Sequence, residues 1–154
     1  MASSRSKGDE ARVTVDFSVP LEFAFRWCTD YTPQDAALEG EKYERKVIER
    51  SARRVVLEDL DETDSGWVWA RDVVTLRPPN RWHMESMGSH RNASGDYVLT
   101  KLPDGRTRFE LRWWRTPTSL GRKISRAERE RETRKAWKRF AKAMEKDYRK
   151  AKKR

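Results

Sequence analysis

SRAERERETRKAWKRFAKAMEKDYRK, residues 125–150, decides the fold, because it reads as one helix with a single apolar face. Ser125 can cap the first turn, and Glu128 three residues on can close a capping box. The segment predicts a helix over about 125–150, roughly 40 Å long at 1.5 Å per residue. Trp137, Phe140, Ala141, Met144 and Tyr148 recur at spacings of three, one, three and four, which places them in one stripe. Such a stripe must cover an apolar surface, and the rest of the chain supplies one made of strands.

RVTVDFSV, from Arg12, alternates Val13, Val15, Phe17 and Val19 with polar residues, a half-buried strand that ends at Pro20. LEFAFRWC then places Leu21, Ala24, Phe25 and Cys28 on one side of a short helix. A second helical turn is predicted at TPQDAAL, with Thr32 as cap and Pro33 in the first helical position. Six strand-like segments follow: KYERKVIERS, RRVVLEDLDE, GWVWARDVVTLR, RWHMESMGS, SGDYVLTKL and RTRFELRWWR. Short turns at Thr63–Gly66, Arg77–Asn80 and Leu102–Gly105 make neighbouring strands antiparallel. The fold class is α+β: a seven-stranded antiparallel sheet, two short helices after its first strand, and a long C-terminal helix across it.

Composition narrows the function classes. The 154 residues fit one domain, 11–154, behind a disordered segment 1–10. Neither an apolar run of membrane-spanning length nor a signal core is present, so a cytoplasmic protein is expected. Cys28 is the single cysteine, and His83 and His90 have no metal-binding spacing, so no metal and no cofactor are expected. The net charge of +10 is local: residues 1–120 hold 19 Lys+Arg against 20 Asp+Glu, whereas 121–154 hold 16 against 5. The excess cations lie on the helix faces away from the stripe, as a solvated face or as a contact to anionic membrane surface. No helix-turn-helix, finger or RNA-recognition signature supports nucleic acid as a partner.

Three local motifs carry a family likeness. Phe25-Arg26-Trp27-Cys28-Thr29-Asp30 ends the first helix with a bulky pair before Thr-Asp. Leu76-Arg77-Pro78-Pro79-Asn80-Arg81-Trp82 is a proline hairpin followed by Arg and a large apolar residue. Ser94-Gly95-Asp96-Tyr97-Val98-Leu99 pairs with the hairpin Asp104-Gly105-Arg106-Thr107-Arg108. With the element order, these resemble the helix-grip fold of the START-like (SRPBCC) superfamily, which includes polyketide cyclase-like proteins and lipid-transfer domains. The resemblance spans about residues 12–150. It implies a cavity between the curved sheet and the C-terminal helix for a lipid-like or polyketide-like molecule, and no particular chemistry.

Strand alternation selects the residues facing that cavity. Phe109, Leu111 and Trp113 share one face of the last strand, and Tyr97 and Leu99 one face of the strand before it. An odd-length loop at the prolines places Leu76 opposite Trp82 and Val74 opposite Met84, which turns Trp82 inward. Adding Phe25 from the first helix and Trp137, Phe140 and Met144 from the last completes the expected lining. On the same register Asp72 faces in, while Trp67, Trp69, Arg71 and His83 face out; a slip or bulge reverses Asp72, Trp67 and Trp69. Outward, the two tryptophans form an aromatic and arginine patch suited to a partner.

Two readings share the cavity. A binding module holds an apolar small molecule there, and a uniformly apolar lining favours it. A cyclase/aromatase-type enzyme orients a polyketide-like substrate there, with Asp72, Tyr97 or Arg71 supplying proton transfer or oxyanion contacts. Convergence of two or more ionisable groups favours the enzyme. A third reading, interaction through the basic helix, would depend on Lys138, Arg139 and Lys142.

Overall fold

The alternating segment after Glu10 forms β1 (Ala11–Phe17), with Ala11, Val13, Val15 and Phe17 buried and Arg12 and Thr14 exposed. The computed structural model describes residues 9–153, so most of the segment 1–10 lies outside the described residues. Its last two residues, Asp9 and Glu10, are described, and both make contacts. The Asp9 carbonyl accepts a hydrogen bond from Arg129 Nη2 at 2.8 Å, and the Glu10 carboxylate pairs with Arg12.

Helix α1 (Leu21–Cys28) follows Pro20, and α2 (Asp35–Leu38) is a single turn. The latter starts two residues later than the Thr32–Pro33 signal predicts. The Thr32 hydroxyl is drawn to the Asp35 side chain at 3.3 Å rather than accepting a backbone N–H. Then come β2 (Glu44–Arg50), β3 (Arg54–Thr63), β4 (Gly66–Arg77), β5 (Arg81–Gly88), β6 (Arg91–Lys101) and β7 (Thr107–Pro117). They form one antiparallel sheet in the order β1-β7-β6-β5-β4-β3-β2. Each hairpin places sequence neighbours side by side, and β1 closes the far edge by pairing with β7.

Helix α3 (Arg126–Lys152) begins as Ser125 promises: its hydroxyl accepts from the Glu128 backbone N–H at 3.1 Å. The Glu128 carboxylate turns instead toward Arg122, 3.9 Å away. The stripe does cover the sheet, with the Trp137 and Phe109 ring centroids 4.0 Å apart. Three acidic residues fasten the helix from its other flank. Glu130 accepts from the Arg12 backbone N–H at 2.7 Å, Glu145 from that of Ser18 at 3.0 Å, and Asp147 from Trp27 Nε1 at 2.9 Å. Two of these bonds cover backbone donors at the edge strand, where a bare row would invite pairing with another chain.

The hairpin register at the prolines places Leu76 opposite Trp82 and Val74 opposite Met84. Asp72 therefore faces the helix side of the sheet, and Trp67 and Trp69 face away, 57% and 46% exposed. No helix among the described residues is long and apolar enough to cross a membrane.

Candidate ligand cavity

Across β4 to β7 the inward side chains form rows whose polarity rises from one end of the sheet to the other. Leu76, Trp82, Tyr97 and Leu111 make one row, and Val74, Met84, Gly95 and Trp113 the next. Asp72, Ser86, Ala93 and Arg115 make the third. Helix α1 closes the apolar end, setting Phe25 edge-on against Trp82 with ring centroids 5.9 Å apart. The polar end stays open as a cavity of about 830 Å³ between the sheet, the loop after α1, α2 and the first half of α3. Gly95 helps create it: a Cβ there would sit 3.1 Å from Tyr97 Cε2.

The expected lining divides in two. Met84, Tyr97, Leu111, Trp113, Trp137 and Phe140 do line the cavity. Phe25, Val74, Trp82, Leu99, Phe109 and Met144 instead fill the closed end. Trp82 is 2% exposed, and Val74, Leu99, Phe109 and Met144 are completely buried. Facing inward is thus not the same as facing the cavity, because α1 and α3 converge on the apolar rows and stack their rings there. Trp82 lies parallel to Tyr97 at 4.8 Å, and Tyr97 carries the wall.

Of the polar candidates, Asp72 and Tyr97 border the cavity and Arg71 does not. Arg71 projects from the opposite sheet face, where its guanidinium pairs with Glu58, so strand alternation removes it from cavity chemistry. Burial, then the charge of Asp59, holds the Asp72 carboxyl above the usual carboxylate range, while the Ser86 hydroxyl favours the charged form. Burial, then the charge of Asp72, likewise keeps the Tyr97 phenol protonated. His83 lies on the outer face, with Nδ1 2.5 Å from Asp96 and Nε2 2.7 Å from Glu85.

Several cavity residues carried no sequence signal. Arg45, its side chain 6% exposed, bonds both Asp59 oxygens at 2.8 and 2.9 Å and Asp35 at 2.6 Å. Opposite charges at the cross-strand positions 45 and 59 would have revealed the pair. The register break between Val47 and Glu49 hides which β2 residues face in. Tyr31, buried beside that guanidinium, holds φ 45°, a left-handed conformation that aromatic residues rarely adopt. Asp30 and Glu39 stand nearby, and burial raises their carboxyls to about 6 and about 7 respectively. On the other flank Arg91, Arg122 and Arg129 gather around Arg115, with Arg129 lying over the Trp113 ring. The cavity therefore has an acidic lobe with Arg45 at its centre, a basic lobe, and an aromatic wall between them.

Neither a family model nor a curated protein sequence matches the chain. Solved structures do. A START superfamily protein from Mycobacterium smegmatis superposes with a TM-score of 0.67 at 12% identity, covering 92% of this chain and 98% of that one. The Zhui aromatase/cyclase from Streptomyces sp. R1128 gives 0.64 at 12% identity, over 90% of this chain and 92% of that one. The di-domain ARO/CYC StfQ of the steffimycin biosynthetic pathway gives 0.68 at 14% identity, over 90% of this chain and 45% of that one. These identities speak to architecture alone. With the sheet order, the α1–α2 insertion and α3 in place, the chain has the START-like, polyketide cyclase-like helix-grip fold.

Proposed function

We propose that the chain binds a hydrophobic small molecule, lipid-like or polyketide-like, between the sheet and α3. The observation that carries this reading is the cavity of about 830 Å³ beside an aromatic wall of Tyr97, Trp113, Trp137 and Phe140. Ligand sites commonly occupy about 300–1,000 Å³, so this one has room for an organic molecule beyond a few waters. Its place between sheet and long helix is also the one the START-like resemblance implies. Native mass spectrometry of protein purified from its own host tests the reading, together with titration by the neutral fluorophore N-phenyl-1-naphthylamine. An apolar adduct, or a saturable fluorescence gain lost in Trp137→Ala, is expected. No adduct and no saturable binding would sink it.

A second reading, a cyclase/aromatase-type enzyme, gains from the lining being far from uniformly apolar. Asp72 and Tyr97 border the same cavity, and burial shifts Asp72's carboxyl toward its neutral form. The aromatase/cyclase identity of two structural neighbours agrees with this chemistry. Incubation with a synthetic poly-β-ketone thioester distinguishes the readings. Faster ring closure than in buffer, lost in Asp72→Asn with fluorophore binding intact, supports the enzyme; an unchanged product profile supports the binder.

A further inference from the structure

We propose that the basic lobe is an anion subsite, so that the ligand is an amphipathic acid whose carboxylate meets Arg115, Arg91 and Arg129 while its apolar body lies along the aromatic wall. This rests on the binding role proposed for the cavity and adds the charge of what it binds.

The first observation is a cluster of donors without acceptors. Arg129 is 7% exposed, and its guanidinium lies 5.0 Å from the centre of the Trp113 ring. Nη2 is satisfied by the Asp9 carbonyl. Its Nε and Nη1, and the adjacent Trp113 Nε1, are buried and meet no acceptor among the described residues. Buried donors nearly always find a partner, and a charged one has most to lose without it. All three belong to residues that border the cavity.

The second observation is the excess of cations around that cluster. Arg115 is the next inward residue on β7 after Trp113, and Arg91, on the neighbouring strand, also borders the cavity. Burial, then the charges of Arg91, Arg129 and Arg122, push Arg115 below the usual arginine range, so the guanidinium groups are close enough to repel. Two carboxylates border this lobe, and the charge of Arg91 also acts on a third, Asp72. Glu128 stands 3.9 Å from Arg122, and Glu132 borders the cavity one turn later on α3. Asp72 is in the same row as Arg115 but three strands away, roughly 14 Å at the usual strand spacing. Four arginines against three carboxylates leave a donor-rich, positive surface, and planar guanidinium groups suit a carboxylate better than a neutral hydroxyl. Leu111, Trp113 and Trp137 continue from this lobe toward Tyr97 and give an acid's apolar part its surface.

Competition for the cavity tests the subsite. N-phenyl-1-naphthylamine is bound first and displaced at pH 8 by decanoate or by decan-1-ol, which share a chain and differ in charge. Decanoate is expected to compete at least about tenfold more strongly. The double variant Arg91→Gln, Arg115→Gln is expected to erase that preference, read as the ratio of decanoate to decan-1-ol competition within the variant, and Arg115→Lys to keep part of it. An unchanged urea unfolding midpoint shows that each variant is folded. Equal competition by acid and alcohol in the natural chain, or a preference undiminished in the double variant, overturns the anion subsite and leaves the cavity reading standing. Absence of probe binding in the natural chain overturns the cavity reading and the subsite with it.

Discussion

The Trp82 indole stacks on the Tyr97 ring, centroids 4.8 Å apart and planes 12° from parallel, and this pair marks where packed core gives way to cavity. Tyr97 borders the open space, whereas Trp82 is 2% exposed behind it, braced by Phe25 and Phe109. Trp82→Ala removes the brace and leaves a hole at the closed end. It is expected to lower stability by about 3–5 kcal/mol in urea unfolding, as large-to-small changes of buried aromatics do. Because the hole adjoins the cavity, the folded variant should also accept bulkier apolar probes. A loss below about 1 kcal/mol would show that the ring is not part of the packed core.

Arg45 stitches α2 to the sheet through Asp35 and β2 to β3 through Asp59. Replacing it with methionine keeps much of the volume and strands two half-buried carboxylates. Breaking a buried pair from one side typically costs about 3–5 kcal/mol. Arg45→Met is therefore expected to shift the urea midpoint strongly downward. Adding Asp59→Leu, which removes one stranded charge, should recover part of the loss. A double variant no more stable than the single one would show that Asp59 is solvated well enough without its partner.

How far the sequence could be read depends on what each feature rests upon. Period-two alternation and the odd loop at Pro78-Pro79 turned Trp82 inward, whereas Asp72, Trp67 and Trp69 stayed open to a slip or bulge that only the observed β4–β5 pairing excludes. The split between Tyr97 as wall and Trp82 as core was not legible, since it depends on where Phe25 of α1 lands. Arg129 was hidden for a different reason. In a helix rich in exposed cations, one arginine folded back over Trp113 looks like all the others. The Arg45–Asp59 pair was masked by the register break in β2.

Arg71 offers a contrast with Arg45 that separates the two faces of the sheet. Its pair with Glu58 is exposed on both sides, at 54% and 41% of the side chains. Arg71→Ala is expected to change stability by no more than about 0.2–1 kcal/mol, the usual worth of a surface pair. Binding of N-phenyl-1-naphthylamine should stay unchanged in titration. A large loss of binding would mean that the outer face, with Trp69 beside Arg71, communicates with the cavity.

The acidic lobe sets the direction of the pH dependence. Burial lifts the Glu39 carboxyl from 4.5 to about 7; burial and then the Asp35 charge lift Asp30 from 3.8 to about 6. In the unfolded chain both ionise in the usual carboxylate range, so between about pH 4 and about pH 7 the folded protein holds protons that the unfolded chain has released. Stability is then expected to fall as pH rises through that window. Asp30 is solvent-exposed, so screening shrinks its share and Glu39 should dominate. Asp16, lowered by its bond to Arg108, acts in the opposite sense and only in more acidic solution, where its protonation removes a native interaction. Urea midpoints measured across the window at fixed ionic strength should decline with pH, and Glu39→Gln, which cannot ionise, should flatten much of the decline. A midpoint that rises with pH, or a Glu39→Gln variant with the full natural slope, would show that Glu39 is hydrated in the folded chain and does not control the effect.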